Sequence, residues 1–255
     1  MGLRLKKNVM IKRVLIGSLV LGALALQNCG TETPAIPAAI TAPTVNLPAV
    51  SGVDGVILAM NTRTKESGVE IMTGTGQAIF FKNQSPLTKV DGGTLKLNTK
   101  SCIKSDDNTY FYIPTTADPR GIVFGSQIFW QGTGNAANGV PAINDNDGSG
   151  FPNIPVLGEF INLKTNQDYA LNWISSNGGD SIIVILKGPS ATHKKVFANT
   201  VSSYSIPKAE LAKLGVGGAT VTIINYIKVN KTIGTKTYAF IKQAIAYTAK
   251  ASVSN

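Results

Sequence analysis

The chain has 255 residues, with 24 Lys and Arg against 14 Asp and Glu, a formal net charge of +10, one His and two Cys. That length can bury one large core or two of ordinary size. A single histidine leaves no multi-histidine zinc centre, no serine lies in the G-x-S-x-G of a nucleophile elbow, and two cysteines do not make a disulfide framework.

The first element is an export signal over residues 1–28. Arg4, Lys6, Lys7, Lys12 and Arg13, with no acid among them, precede V-L-I-G-S-L-V-L-G-A-L-A-L at 14–26. About thirteen apolar residues fall short of the roughly 20 that span a bilayer but match a signal-peptide core. M-I-K-R-V-L-I, from Met10, already carries a complete basic flank. The run closes in L-A-L-Q-N-C-G, which resembles the bacterial lipoprotein box, a Leu three residues ahead of a Cys. Leu26 and Cys29 match it; Asn28 departs from the usual small residue in a way the looser boxes of Bacteroidota and spirochaetes share. The resemblance implies a lipid anchor on Cys29 and, with no acid at Gly30, an outer-membrane destination. An ordinary cleaved signal with an incidental Cys, or an uncleaved anchor, stays open.

Without the five signal cations, 24 basic residues become 19 against 14 acidic, a net of +5. The remaining lysines alternate with apolar residues, as in T-L-K-L-N and K-T-Y-A-F-I-K. That is the pattern of solvated strand faces and guarded edges, so nucleic acid is not an expected partner. Residues 29–51, with T-E-T-P-A-I-P-A-A-I-T-A-P-T-V-N-L-P-A-V, read as the lipidated Cys and an extended tether of about 20 residues.

From Val53 the pattern is β. Strands are expected at 55–60, 69–72, 77–82, 93–98, 109–114 and 126–131, then, after a Gly/Asn-rich stretch, at 157–163, 169–174, 180–187, 194–198, 202–206, 219–229 and 236–249. P-K-A-E-L-A-K-L-G, 207–215, predicts one short helix with Leu211 and Leu214 on one face and Gly215 as its stop. The fold class is all-β, as two tandem β-sandwich-like domains over 52–154 and 155–255. Seven strands and Trp173 make the second immunoglobulin-like, with the short helical turn between late strands. The run W-I-S-S-N-G-G-D-S-I-I-V-I, then S-Y-S-I-P-x-A-E-L-x-x-L and G-x-x-V-T-I, with the hairpin G-T-L-K-L-N…N-T-Y-F-Y-I-P, resembles two-part lipoproteins of Bacteroidota that bring no assigned activity.

Few residues carry chemistry. D-N-D-G-S-G, 145–150, places Asp145, Asp147 and Ser149 at alternate positions of a turn, the start of a calcium loop. Val156 stands where its bidentate Glu belongs, so a plain solvated turn is the competing reading and no cofactor is required. T-G-T-G-Q, 73–77, lacks the Lys-Ser/Thr ending of a phosphate loop and reads as a hairpin turn. His193 lies in a hydrophilic S-A-T-H-K-K stretch, and Cys102 reads as an inert thiol. Phe129-Trp130, ahead of Q-G-T-G-N, would let Trp130 stack on a sugar at a loop mouth, against an inward ring capping the core. The expected function is non-catalytic: a membrane-anchored envelope module that binds a protein or glycan. A carbohydrate-active enzyme with two convergent acids, or an architectural envelope subunit, is the alternative.

Overall fold

Alternating apolar and polar residues become strands along the whole of the body. The computed structural model describes residues 50–174 and 178–255. The strands are β1 (Gly55–Glu66), β2 (Val69–Lys82), β3 (Ser85–Val90), β4 (Leu95–Leu97), β5 (Lys100–Ser101), β6 (Ile103–Lys104), β7 (Thr109–Tyr112), β8 (Ile128–Gly132) and β9 (Ile143–Asp147). They are followed by β10 (Ile161–Lys164), β11 (Tyr169–Asn172), β12 (Ser181–Lys187), β13 (Thr192–Ala198), β14 (Ser203–Ile206), helix α1 (Lys208–Leu214), β15 (Gly217–Ile233) and β16 (Lys236–Ser254). The fold is all-β, as the sequence predicts.

Ten strands form one sheet in the order β13-β12-β15-β16-β1-β2-β7-β6, with β10 added to β16 and β3 to β2. A four-stranded sheet, β5-β4-β8-β9, and a two-stranded one, β11-β14, complete the fold. The long hairpin β15–β16 is the spine, antiparallel from Gly217↔Val253 to Ile233↔Lys236. Along β16, β1 runs parallel from Gly55↔Tyr238 to Thr64↔Tyr247, and β10 takes over from Ile161↔Ala251 to Lys164↔Ser254.

Two apolar cores lie on the large sheet. One joins Leu171 of β11 and Ile206 of β14 to Ile182, Val184 and Leu186 of β12, with Leu211 and Leu214 of α1 sealing it. The other joins Leu97 of β4 and Ile128 and Trp130 of β8 to Ile57, Ala59, Phe80, Tyr238 and Phe240. The cores are not tandem in the chain, because Tyr238 and Phe240 belong to the N-terminal one. The large sheet runs through the boundary expected between 154 and 155, and the described residues fall within one compact unit. Strands β15 and β16 are long enough to serve both cores.

The T-G-T-G segment is also not a turn. It lies inside β2, whose register with β1 runs unbroken from Gly55↔Phe80 to Glu66↔Val69. The glycines are there for close approach. Gly74 exchanges backbone hydrogen bonds with Arg120 and Ile122, 2.9 Å each, and a Cβ on it would meet the Ile122 carbonyl. Gly76 lies under Leu97 and Trp130. The helix follows its prediction: Pro207 precedes it, the Asp168 carboxylate accepts from the Lys208 amide at 2.8 Å, and Gly215 ends it at φ 79°.

Candidate functional site: the outer face of the four-stranded sheet

Side chains alternate sides along a strand, so each residue of β4, β8 and β9 faces either the core or solvent. Leu97, Trp130 and Asp145 share a register position and point inward; Lys96, Gln131 and Asn144 share the next and point outward. Thr94 and Thr133 flank that outward row, with the Thr94 amide donating to Thr133 Oγ1 at 2.9 Å. The face forms an open groove of about 430 Å³ lined by Thr94, Lys96, Gln131, Thr133 and Asn144, over Gly132 and Ala142. One step along, Phe129 is half-buried opposite Asn146. The side chains of Lys96, Gln131, Asn144 and Asn146 engage no hydrogen bond or ion pair with the described residues. Elsewhere carboxylates are heavily committed: Asp54, Asp91, Asp107, Asp118, Asp145, Asp147 and Glu159 each lie within ion-pair distance of a lysine.

Trp130 is 2 % exposed and belongs to the core, so its ring is closed to a ligand at the surface. The strand's two-residue period decides this: Ile128 and Trp130 face in, and Phe129 is the aromatic that faces out. A strict reading of that period in S-Q-I-F-W-Q would have selected Phe129 over its neighbour.

The acids of the expected calcium turn lie on β9, not in a loop. Asp145 and Asp147 both point inward, toward the large sheet. Lys231 of β15 donates to both oxygens of Asp145, at 2.8 and 2.9 Å, with its ammonium 4.9 Å from the centre of the Phe240 ring. Lys242 of β16 is 3.1 Å from Asp147 Oδ2 and donates to Ser149 Oγ at 2.5 Å. Ser149 in turn donates to Asp147 Oδ1, from Oγ at 2.6 Å and from its amide at 2.9 Å. Burial works against the charged Asp147, but the Ser149 hydroxyl and amide and then Lys242 outweigh it, and its carboxyl is lowered to about 2. Two lysine ammoniums thus stand where a bound cation would be sought. No group of three or more His, Cys, Asp or Glu gathers at metal-holding distance among the described residues.

His193 lies on β13 rather than in a loop. Its Nε2 is 3.0 Å from the Tyr204 hydroxyl and its Nδ1 3.3 Å from Glu210 Oε2. These contacts tie β13 to β14 and α1. Cys102 is half-buried against the N-terminal core, and burial pushes its thiol up to about 12, which leaves it an inert neutral side chain. Cys29, the export signal and the tether up to residue 49 lie outside the described residues. No family model matches the chain, and no curated protein matches it.

Proposed function

We propose that this is an exported, lipid-anchored protein of the outer membrane whose body binds a ligand without transforming it, and that the outer face of β4, β8 and β9 receives a glycan. The observation that carries the binding reading is the row Lys96–Gln131–Asn144. Neighbouring strands lie about 4.8 Å apart, so the row offers donors and acceptors at a spacing close to that of linked sugar rings. Carboxamides suit hydroxyl partners because each both donates and accepts. Phe129 adds an apolar ring face beside them, the usual platform for a sugar's C–H side. The groove's lining carries no carboxylate, thiol or imidazole to move a proton, which favours capture over hydrolysis.

The C-terminal part reads as immunoglobulin-like. Supporting this are the neighbours β10-β16-β15-β12-β13 in one layer, β11-β14 in the other, and α1 between β14 and β15. The membrane anchor rests on Leu26 and Cys29 and is tested by mass spectrometry of the native N-terminus, where diacylglycerol on Cys29 is expected and a free thiol refutes it. The binding face is tested by a glycan screen of the chain from Gly30. Binding should fall roughly tenfold or more in Phe129→Ala and in Gln131→Ala, the loss of one well-placed contact. Undiminished binding in both variants, or no glycan bound by the parent, removes this face as the site.

A further inference from the structure

We propose that the glycan taken by the outer face of β4, β8 and β9 is an acidic one, a chain whose sugars bear carboxylate or sulfate groups, and that Lys96 is the residue that selects it. The inference rests on the glycan reading of that face and adds the charge of the ligand to it.

A solvated strand ordinarily turns its charged side chains to water. Strand β9 does the reverse with its acids. In I-N-D-N-D, Asp145 and Asp147 point inward onto Lys231 and Lys242, while the neutral carboxamides of Asn144 and Asn146 point outward. Strand β8 adds Phe129 and Gln131 to the outer face, and β4 adds Lys96. The outward positions of the three strands thus hold one ammonium and no carboxylate, and no acid lines the groove of about 430 Å³ above them.

Lys96 does not guard an edge. A lysine on an outermost strand blocks pairing with another chain, but β4 lies between β5 and β8. Its register partners are Ser101 and Gln131, and neither carries the opposite charge that stabilises a lysine across a strand pair. The next lysines along the chain are neutralised: Lys100 has Asp118 at 2.5 Å, and Lys104 has Asp91 at 2.7 Å. Lys96 is exposed and has no carboxylate at ion-pair distance among the described residues. A hydroxyl flanks it on one side and a carboxamide on the other, both able to donate to the oxygens of an anion. A sugar bonded to Gln131 has Lys96 one strand away, about 4.8 Å, inside the roughly 8 Å over which charges act at physiological salt.

The test titrates the chain from Gly30 with oligogalacturonate, which carries carboxylates, with dextran sulfate and with neutral dextran, at low and at physiological salt. An acidic glycan should bind more tightly than dextran, and the difference should shrink as salt rises. A preference for either acid supports the proposal and names the group that Lys96 receives. Lys96→Gln should weaken acidic binding roughly two- to fivefold, the worth of one exposed ion pair, and leave neutral binding as it is. Lys96→Glu should weaken it roughly tenfold or more. Lys164→Gln, the same loss of charge at an exposed position of β10, should change nothing, which separates Lys96 from the net charge of the chain. Dextran bound as tightly as the acidic glycans overturns the proposal, as does an effect of Lys164→Gln equal to that of Lys96→Gln; the face itself then still stands or falls on Phe129→Ala and Gln131→Ala. A parent that binds none of the three removes the face and the proposal together.

Discussion

The two cores bury similar side chains but are closed in different ways. The C-terminal core takes its buried members from residues 161–253, all aliphatic or aromatic, and a short helix shuts its end. The N-terminal core runs from Ile57 to Phe240, and where its small sheet meets the large one two lysine–aspartate pairs cross the gap. The first is built largely from one stretch of chain and can be closed with leucines. The second must bring distant stretches together, and charge pairs fix which residue of β9 meets which residue of the hairpin. An ion pair adds little stability over a well-packed apolar pair, so its value here is in register.

The largest effect should come from breaking one of those pairs. Lys242 is 5 % exposed, and Asp147→Ala leaves its ammonium with Ser149 alone. A loss of about 3 kcal/mol or more is expected in denaturant unfolding, the cost of a stranded buried charge. Replacing both partners, Asp147→Leu with Lys242→Met, should recover most of it. A single variant that loses under about 1 kcal/mol would mean that water already reaches Lys242.

A cavity in the other core should cost about 2–5 kcal/mol: Leu186→Ala removes a side chain with 0 % exposure. The more informative readout is where the loss is seen. Trp130 lies in one core and Trp173 in the other, so Trp173→Phe and Trp130→Phe chains each report a single core. Because β15 and β16 serve both, the two reporters should unfold at one denaturant concentration, and Leu186→Ala should shift them together. Separate midpoints would mean that the shared strands do not couple the cores.

Strand content was legible because period-2 alternation is local: L-K-L of β4 and S-Y-S-I of β14 read correctly, as did the Pro207–Gly215 brackets of the helix. Partnership was not legible. Nothing in G-V-I-L-A-M indicates that it lies parallel to residues 238–247, since only two cores sharing one hairpin require that pairing. The 69–72 and 77–82 runs were expected as two strands because glycine usually marks turns. Here Gly74 and Gly76 mark places where other segments press against a continuous strand. D-N-D-G-S-G misleads in the same way. Its composition is that of a turn, and only the lysines at 231 and 242, each far along the chain from the acid it pairs with, explain why two acids point inward from β9.

A smaller effect should follow acidification. Asp147 is lowered to about 2. Asp91 is too, through the Lys104 ammonium at 2.7 Å, then the Tyr110 hydroxyl at 2.5 Å and the Gly93 amide at 2.8 Å. A carboxyl near 3.9 in the unfolded chain and near 2 in the folded one stabilises the fold fully above pH ~4 and loses that contribution as pH falls toward 2. Asp147 accounts for about 2 kcal/mol, so stability should be level from pH 7 to 5 and drop between pH 4 and 2. Asp147→Leu with Lys242→Met should flatten part of that drop. An unchanged acid limb in the double variant would show that the seam contributes nothing to it.

The smallest expected effect is that of calcium. A calcium ion at Asp145 and Asp147 would have to displace Lys231 and Lys242, whose contacts extend beyond those acids to Phe240 and Ser149. It would find two inward carboxylates and a serine already donating to one of them, short of the six to eight oxygens the ion takes. Millimolar calcium should therefore leave the melting temperature of the parent unchanged. Lys231→Met with Lys242→Met is the sharper test, because it bares both acids without removing either. If that variant regains stability with calcium and the parent does not, the lysines are what keep the site closed to the ion. If the parent itself is stabilised, the two cations do not sit on the carboxylates in solution and the seam is not the charge-paired joint described above.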